Sequence, residues 1–217
     1  MNSSIQKEIK NIQVNTTPAS VIIHVHALYH GCIETRTEYT IGGKGIEITN
    51  IVVNNAKTDT IPRIGLSFTF SNAWNHIKWY GRGPWENYAD RKTSAFVSIY
   101  ESTVEEQHVP YIVPVECGGK EDVRYLYVSA FDDRKIKVTA AGHFHFDIHQ
   151  HSIEEYDNAS YAEELGTSDA VYLNIDHKHA GLGGDNGWTK NIHDEYKIKK
   201  DIYLYRITLE VIMEDEL

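Results

Sequence analysis

Short apolar and polar runs with strand character follow one another along the chain from Ser20 onward. Each combines β-branched or aromatic residues with polar ones and is bounded by Gly, Asn, Asp or Pro, which is typical of strands joined by turns. In order, the runs are SVIIHVHALY, CIETRTEYTI, GIEITNIVV, IPRIGLSFTF, DVRYLYVSAF, KIKVTA, HFHFDIHQH, VYLNID and IYLYRITLEVIM. The pattern predicts an all-β sandwich of many strands.

Three stretches allow finer predictions. In the last run, Tyr205, Ile207 and Leu209 alternate with polar residues, which predicts a half-buried strand. In SIEEYDNASYAEEL, Ser152 and Glu155 have the spacing of a capping box, which predicts one short helix. The segment IVVNNAKTDTIPRIGL has the composition of a loop that joins antiparallel neighbours.

The domain organisation follows from the position of these runs. Residues 1–19 lack a clear pattern and are expected to form a loose N-terminal arm, whereas residues 20–217 are expected to form the sandwich. A chain of 217 residues can build one sizeable core.

Charge and cysteine usage exclude several classes of partner. The formal net charge of −10 has the wrong sign for a surface that neutralises nucleic acid or an anionic membrane. No apolar run reaches the about 20 residues that a spanning helix needs, so we expect a soluble chain, in the cytoplasm or the periplasm. Cys32 and Cys117 lack the spacing of a disulfide framework or a zinc knuckle.

The densest group of ionisable residues is the run GHFHFDIHQH. On a strand, Asp147 shares one face with four histidines, whose residue types suit a metal, but a tetrahedral site also needs a ligand from elsewhere. We therefore expect a polar strand face without a metal; the four are His143, His145, His149 and His151. The pairs His24 with His26 and His177 with His179 invite the same interpretation. Adjacent acidic residues point to opposite strand faces, so doublets such as Glu105 and Glu106 are not catalytic dyads.

The segment DHKHAGLGGDNGW places Trp188 among glycines. Because no helix obviously follows, a dinucleotide-binding loop is disfavoured. Few neighbours are available for packing, so we expect the indole on an exposed loop, where its face can stack on the apolar face of a sugar.

Four motifs in the same order resemble one known family. WYGRGPWENYADRK, residues 79–92, is similar to a signature of the C-terminal module of glycoside hydrolase family 2 β-galactosidases, also called the small chain or fifth domain. IPRIGLSF, VPYIVPVECGGKEDVRYLYV and LNIDHKHAGLGGDNGW resemble further segments of that module. The resemblance covers roughly Tyr39 to Leu209.

The resemblance implies a galactose-mutarotase-like supersandwich and a division of labour. The two reactive glutamates belong to a TIM barrel elsewhere in the enzyme, so this chain holds no catalytic residue and is inactive by itself. Its partners are the barrel, the other domains and a β-galactoside such as lactose. Trp188, with Asp185 and Asn186, matches the loop that stacks on the sugar. Mg²⁺ and Na⁺ are implied for the parent enzyme, and no cofactor for this chain.

The polar residues of the signature are expected to shape a loop. They can hydrogen-bond to one another and to residues 116–124, while Gly81 and Gly83 permit a tight path. The expected structural residues are Arg82, Glu86, Asn87, Asp90, Arg91, Glu116, Asp122 and Arg124.

Several positions depart from the family pattern. Gly187 replaces the usual serine, and Val115 replaces the common glutamine. Cys117 stands where asparagine or tyrosine is usual, and Tyr125 stands where tryptophan is expected. Tyr161 lies near the place of a histidine that many relatives carry, which leaves a mutarotase-type acid role unsupported. The family's first strands have no counterpart, so we expect a fragment whose unpaired edges favour self-association.

Two other functions stay open at this point. One is a free-standing aldose 1-epimerase that uses His145 or His149 as acid and Glu116 as base. The other is a carbohydrate-binding module with Trp79, Trp85 or Trp188 as platform.

Overall fold

The structure of the protein is a computed structural model that describes residues 6–186 and 191–212. Within these ranges eleven strands and one α-helix form. The strands are β1 Lys7–Thr16, β2 Ser20–Tyr29, β3 Ile33–Gly42, β4 Gly45–Asn54, β5 Arg63–Ser71, β6 Trp74–Gly83, β7 Phe96–Thr103, β8 Lys120–Ala130, β9 Lys135–His149, β10 Ala170–His179 and β11 Asp201–Ile212, and helix α1 is Ile153–Asn158. The predicted all-β sandwich is confirmed.

The strands form one antiparallel sheet that branches at β9. The main order is β1-β2-β3-β4-β11-β9-β8-β6-β7, and β5 joins through β10. The first half of β9 pairs with β11 and its second half, from His145 to His149, pairs with β10. Gly142, with a φ of +103°, lies between the two halves, where the strand changes partner. Sequence patterns predicted two separate strands here, and the structure has one.

One hydrophobic cluster contains residues of seven strands, namely β4, β5, β6, β8, β9, β10 and β11. It includes Trp79, Leu126, Phe146, Leu173 and Ile207, all of which are at most 1% exposed. Each such side chain contributes about 1.5–3 kcal/mol by leaving water. The cluster therefore fixes the branch at β9, and with it the polar side chains on the opposite face of that strand.

Strand β6 shows why the opening of the signature has glycines. Its buried positions alternate as Ile77, Trp79, Gly81 and Gly83, so the two glycines continue the inward face. A Cβ at Gly81 would lie 2.8 Å from Val123 Cγ2 and 2.9 Å from its Cα, which is too close. Because glycines carry no side chain, the hydrophobic pattern ended early and β6 was not predicted.

Two local predictions are confirmed. Ser152 caps α1: its Oγ accepts from the Glu155 backbone N at 3.2 Å, and Glu155 Oε2 accepts from the Ser152 N at 2.7 Å. In β11, Tyr205, Ile207 and Leu209 are buried and Arg206 is exposed, as the alternation indicates. The helix is shorter than the predicted segment and ends at Asn158.

Other expectations differ from the structure. The loop after β4 does not join paired neighbours, because β4 pairs with β3 and β11 whereas β5 pairs with β10. Residues 7–16 of the expected arm form β1, whose alternation is broken by a bulge between Ile9 and Asn11. Within the described ranges, no helix is long and apolar enough to cross a bilayer.

Candidate functional site: the glycine loop and the signature segment

The glycine loop that follows β10 is tied to the signature segment by one carboxylate. Asp90 Oδ2 accepts a hydrogen bond from the backbone N of Gly183 at 2.7 Å. A Cβ on Gly181 would lie 2.5 Å from the same oxygen, so only glycine lets the loop approach. Gly183 and Gly184 have φ values of +71° and +93°, which a residue with a side chain rarely adopts. The signature therefore sets the path of the loop.

Two of the three predicted sugar-binding residues, Asp185 and Asn186, follow Gly184 in this loop. Asp185 and Asn186 are exposed, and the Asp185 carboxylate contacts Nε2 of His193. Trp188 and Gly187 lie outside the described residues. The structure thus describes the first part of this loop, which Asp90 contacts at Gly183.

A buried asparagine joins the signature to the segment before β8. Asn87 is fully buried; its Oδ1 accepts from the Glu121 N at 2.8 Å and its Nδ2 donates to the Trp85 carbonyl at 2.9 Å. Its backbone N donates to the Gly119 carbonyl at 2.8 Å. These bonds lock the turn after the cis bond between Gly83 and Pro84.

Charged pairs on both sides continue this connection. Glu86 accepts from the Gly118 N at 3.0 Å, from Arg91 Nη2 at 3.0 Å and from the Tyr111 hydroxyl at 2.6 Å. Such bonds to a carboxylate are stronger than neutral ones. They hold the 108–119 loop against the signature.

Asp122 is the second meeting point. Its carboxylate accepts hydrogen bonds from Arg82 Nε at 2.5 Å and from Lys92 Nζ at 3.1 Å. Its backbone carbonyl accepts one from Arg124 Nη1. Burial alone would raise the pKa of Asp122, but hydrogen bonds from Arg82 and Lys92 lower it. Arg82 and Lys92 of the signature thus both donate to Asp122.

A buried ionic network lies next to the signature, where the sequence predicted a polar strand face. Arg63 Nη2 lies 2.5 Å from carboxylate oxygens of both Asp147 and Asp176, and Nη1 lies 3.5 Å from Glu116 Oε2. Burial opposes charge on Asp147, yet Arg63 holds the pKa of that carboxyl below its usual range. His179 Nε2 lies 3.7 Å from Glu116 Oε1, and although burial acts the other way, Glu116 raises the pKa of His179. Charges this deep need partners, and Arg63 supplies them.

The proposed epimerase pair is brought together but covered. His145, His179 and Glu116 each offer an atom within 4.8 Å of the others. Tyr88, which is fully buried, has its ring centroid 5.6 Å from that of His145 and 5.3 Å from that of His179. The signature's own tyrosine thus packs against both imidazole rings of the proposed site. His149, the other nominated acid, has its Nε2 3.0 Å from the Cys117 carbonyl.

Of the tryptophans considered as sugar-stacking platforms, Trp79 is buried and cannot stack on a sugar, whereas Trp85 is exposed. Trp79 is 1% exposed and its Nε1 donates to the Arg82 carbonyl at 2.9 Å, so its indole is a core element. Trp85 is 70% exposed.

The Mg²⁺ and Na⁺ implied for a parent enzyme do not fit the carboxylates of Asp147 and Asp176. Both ions prefer oxygen ligands. Among residues 6–186 and 191–212, the candidate ligand group with two carboxylates is His145, Asp147 and Asp176, and Arg63 already binds both acids.

Comparison with known sequences decides the family. The family whose sequence model is described as the β-galactosidase small chain matches residues 2–209. A β-galactosidase from Vibrio cholerae is 37% identical over 95% of this chain, and one from Psychromonas ingrahamii is 34% identical over 82%. The chain belongs to the β-galactosidase small-chain family.

This small chain corresponds to a minor, C-terminal part of its relatives. It spans 20% of the Vibrio cholerae protein, 16% of the Psychromonas ingrahamii protein and 19% of a relative from Priestia megaterium. Those relatives are glycoside hydrolases that contain other segments besides the matched one.

Solved structures with a similar chain path are sugar epimerases by name. A candidate aldose 1-epimerase from Escherichia coli K12 has a TM-score of 0.46 at 12% identity over 93% of the small chain and 68% of its own. A galactose mutarotase related enzyme from Lactobacillus acidophilus has a TM-score of 0.42 at 11% identity over 94% of the small chain and 74% of its own. Scores this low do not support a comparison of individual residues.

Sequence reasoning missed the ionic network and the role of Tyr88. Arg63, Asp147 and Asp176 are far apart in the chain, and only the pairing of β5, β10 and β9 brings them together. The available signal was the alternation of polar and apolar residues in 147–149 (DIH) and 174–176 (NID). Polar residues at every second position on two paired strands share one face of the sheet.

Proposed function

We propose that this chain is the noncatalytic pocket module of a β-galactosidase. In this proposal the loop of residues 181–188 presents Trp188, with Asp185 and Asn186, to a β-galactoside bound at a barrel in another part of the enzyme. The reactive carboxylates are supplied by that barrel, together with any Mg²⁺ or Na⁺.

The observation that carries the proposal is the bond between Asp90 and Gly183. A family signature whose charged residues only stabilised the sandwich would not need to reach the loop beyond β10. Here the carboxylate of Asp90 lies 2.7 Å from the backbone N of Gly183, which is 93 residues away in the sequence. Fixing the loop base limits the positions that an indole at its tip can take, which is how a binding residue contributes to positioning.

The ion pairs made by the acidic residues of the module agree with a noncatalytic role. Catalysis in sugar hydrolysis needs two carboxyl groups at a defined spacing, one of them protonated. The buried acids Asp147 and Asp176 bind Arg63, and the half-buried Asp122 binds Arg82. Their charges hold the module together, which leaves the bond cleavage to another domain.

Complementation tests the proposal. The Vibrio cholerae relative, shortened by the segment that this chain matches, is mixed with the chain and assayed with a nitrophenyl-galactoside. We expect neither part alone to cleave the substrate and the mixture to do so. A complex that forms by size-exclusion chromatography yet stays inactive would contradict the proposal.

A further inference from the structure

Three groups of described residues bring metal-ligand atoms together, and two of them already hold a cation. His145, Asp147 and Asp176 surround Arg63, whose Nη2 contacts both carboxylates at 2.5 Å. In the second group, Glu116 with His145 and His179, Arg63 Nη1 lies 3.5 Å from Glu116. A guanidinium does not lose its proton in a protein, so a metal ion would be repelled at both places.

The third group lies where the 108–119 loop meets the end of β9. One ligand atom each of His108, Cys117 and His149 lies within 4.8 Å of the others. His108 follows a 3-10 turn at Glu105–Gln107, Cys117 precedes β8, and His149 is the last residue of β9. Cys117 is 2% exposed and His149 5%, whereas His108 is exposed, so an ion could enter from the side of His108.

The ring of His149 is oriented so that its Nδ1 is available to bind a metal ion. Its Nε2 lies 3.0 Å from the Cys117 carbonyl, which can only accept, so the neutral ring carries its proton there. Its Nδ1 is buried without a hydrogen-bond partner. A ligand histidine typically donates its other N–H to a carbonyl or carboxylate, and this fixes the tautomer. An unpaired buried nitrogen is otherwise costly.

The other two ligands are placed by backbone and ring contacts. Gly118, with a φ of +72°, turns the chain directly after Cys117, and a Cβ there would lie 2.7 Å from the Gln107 carbonyl. The ring of His108 stacks on Tyr156, whose hydroxyl lies 3.2 Å from Nδ1. Buried Lys120 donates to the Gly118 carbonyl at 2.8 Å, and its ammonium lies over the Trp79 ring. These two contacts engage the ammonium group of Lys120.

We propose that His108, Cys117 and His149 bind a zinc ion, with water as the fourth ligand. Thiolate with imidazole is a donor set that Zn²⁺ prefers, in a tetrahedron with Zn–S of about 2.3 Å and Zn–N of about 2.0 Å. Ligand atoms in such a site lie roughly 3.5 Å apart, so the group has to close by at most about 1.3 Å on binding. His108 is exposed, and a shift of its ring away from the Tyr156 hydroxyl supplies that movement. The ion would fasten the 108–119 loop, and with it Glu116, to the end of β9.

Metal titration of the full chain tests this site. The chain is treated with a chelator, dialysed and titrated with Zn²⁺ by calorimetry, then with Co²⁺ as a spectroscopic probe. We expect one Zn²⁺ per chain, a thiolate-to-cobalt charge-transfer band, and a higher Tm with zinc. Cys117→Ser and His149→Gln should weaken binding by more than about 100-fold, since even an outer-shell partner is worth about 10–100-fold.

Matched variants separate the site from general folding effects. His108→Ala changes an exposed residue, so it should keep the fold, by circular dichroism, and lose the ion. Cys32→Ser removes the other free cysteine and should bind zinc as the wild type does. Absence of stoichiometric zinc binding by the folded wild-type chain would overturn the proposal, as would a cobalt–thiolate band that survives in Cys117→Ser.

Discussion

Asp90 and Gly183 are joined by a hydrogen bond of 2.7 Å between a carboxylate of the signature and the backbone of the glycine loop. The bond connects two motifs that are far apart in the chain. It also explains why the signature needs an acid at this position: a carboxylate accepts from a backbone N–H more strongly than a neutral group does. The signature therefore holds the backbone of the loop at Gly183.

Removal of this carboxylate should loosen the loop without unfolding the sandwich. A hydrogen bond to a charged group is worth about 1.5–3 kcal/mol, so Asp90→Ala should speed amide exchange at Gly183 by about 10- to 100-fold. Hydrogen exchange followed by mass spectrometry measures this. Asp132→Asn, in an exposed pair with Arg134, is the control and should leave exchange at Gly183 unchanged. Equal exchange in Asp90→Ala and wild type would contradict the assigned contact.

Loss of the central cation of the network should be costly. Arg63→Met leaves Asp147 and Asp176 buried without their partner, and breaking a buried pair in this way costs about 3–5 kcal/mol. Urea unfolding at neutral pH measures the free energy of unfolding. Arg134→Met, which removes an exposed pair, should show no measurable change. An Arg63→Met chain as stable as wild type would show that the network is not a structural centre.

Lys120 should give stability a distinct dependence on pH. Burial lowers its pKa from 10.5 to about 8 in the folded chain. Between these values the unfolded chain holds more protons than the folded one, so raising the pH from about 8 to 10.5 should stabilise the wild type. Relative to Lys120→Met, the gain should be about 2–3 kcal/mol. Urea titrations across this range test it, and parallel profiles for the two proteins would refute it.

Unpaired sheet edges should cause self-association of the chain. Among the described residues, β1 pairs only with β2, and it exposes Ile9, Ile12 and Val14. Such an edge can pair with a second copy. Light scattering should show mass that rises with concentration, and Ile12→Lys with Val14→Lys should reduce it. Ile202→Lys, on the interior strand β11, should not, and a monomer at high concentration would exclude the prediction.

The sequence predicted the sandwich well because its strands alternate or run apolar between clear turns. The prediction failed where the signal was not a side chain: Gly81 and Gly83 fill inward positions of β6, and a bulge breaks the alternation of β1. The ionic network was not predictable from spacing, since Arg63, Asp147 and Asp176 meet only through the order of three strands.

The most direct test concerns Trp188 in an assembled enzyme. The chain, paired with the shortened Vibrio cholerae relative, is assayed for kcat/KM on a nitrophenyl-galactoside as wild type, Trp188→Leu and Trp85→Leu. Loss of a stacking indole should lower kcat/KM about tenfold or more, which is about 1.4 kcal/mol, whereas exposed Trp85 should be replaceable without effect. An unchanged kcat/KM for Trp188→Leu would contradict the account.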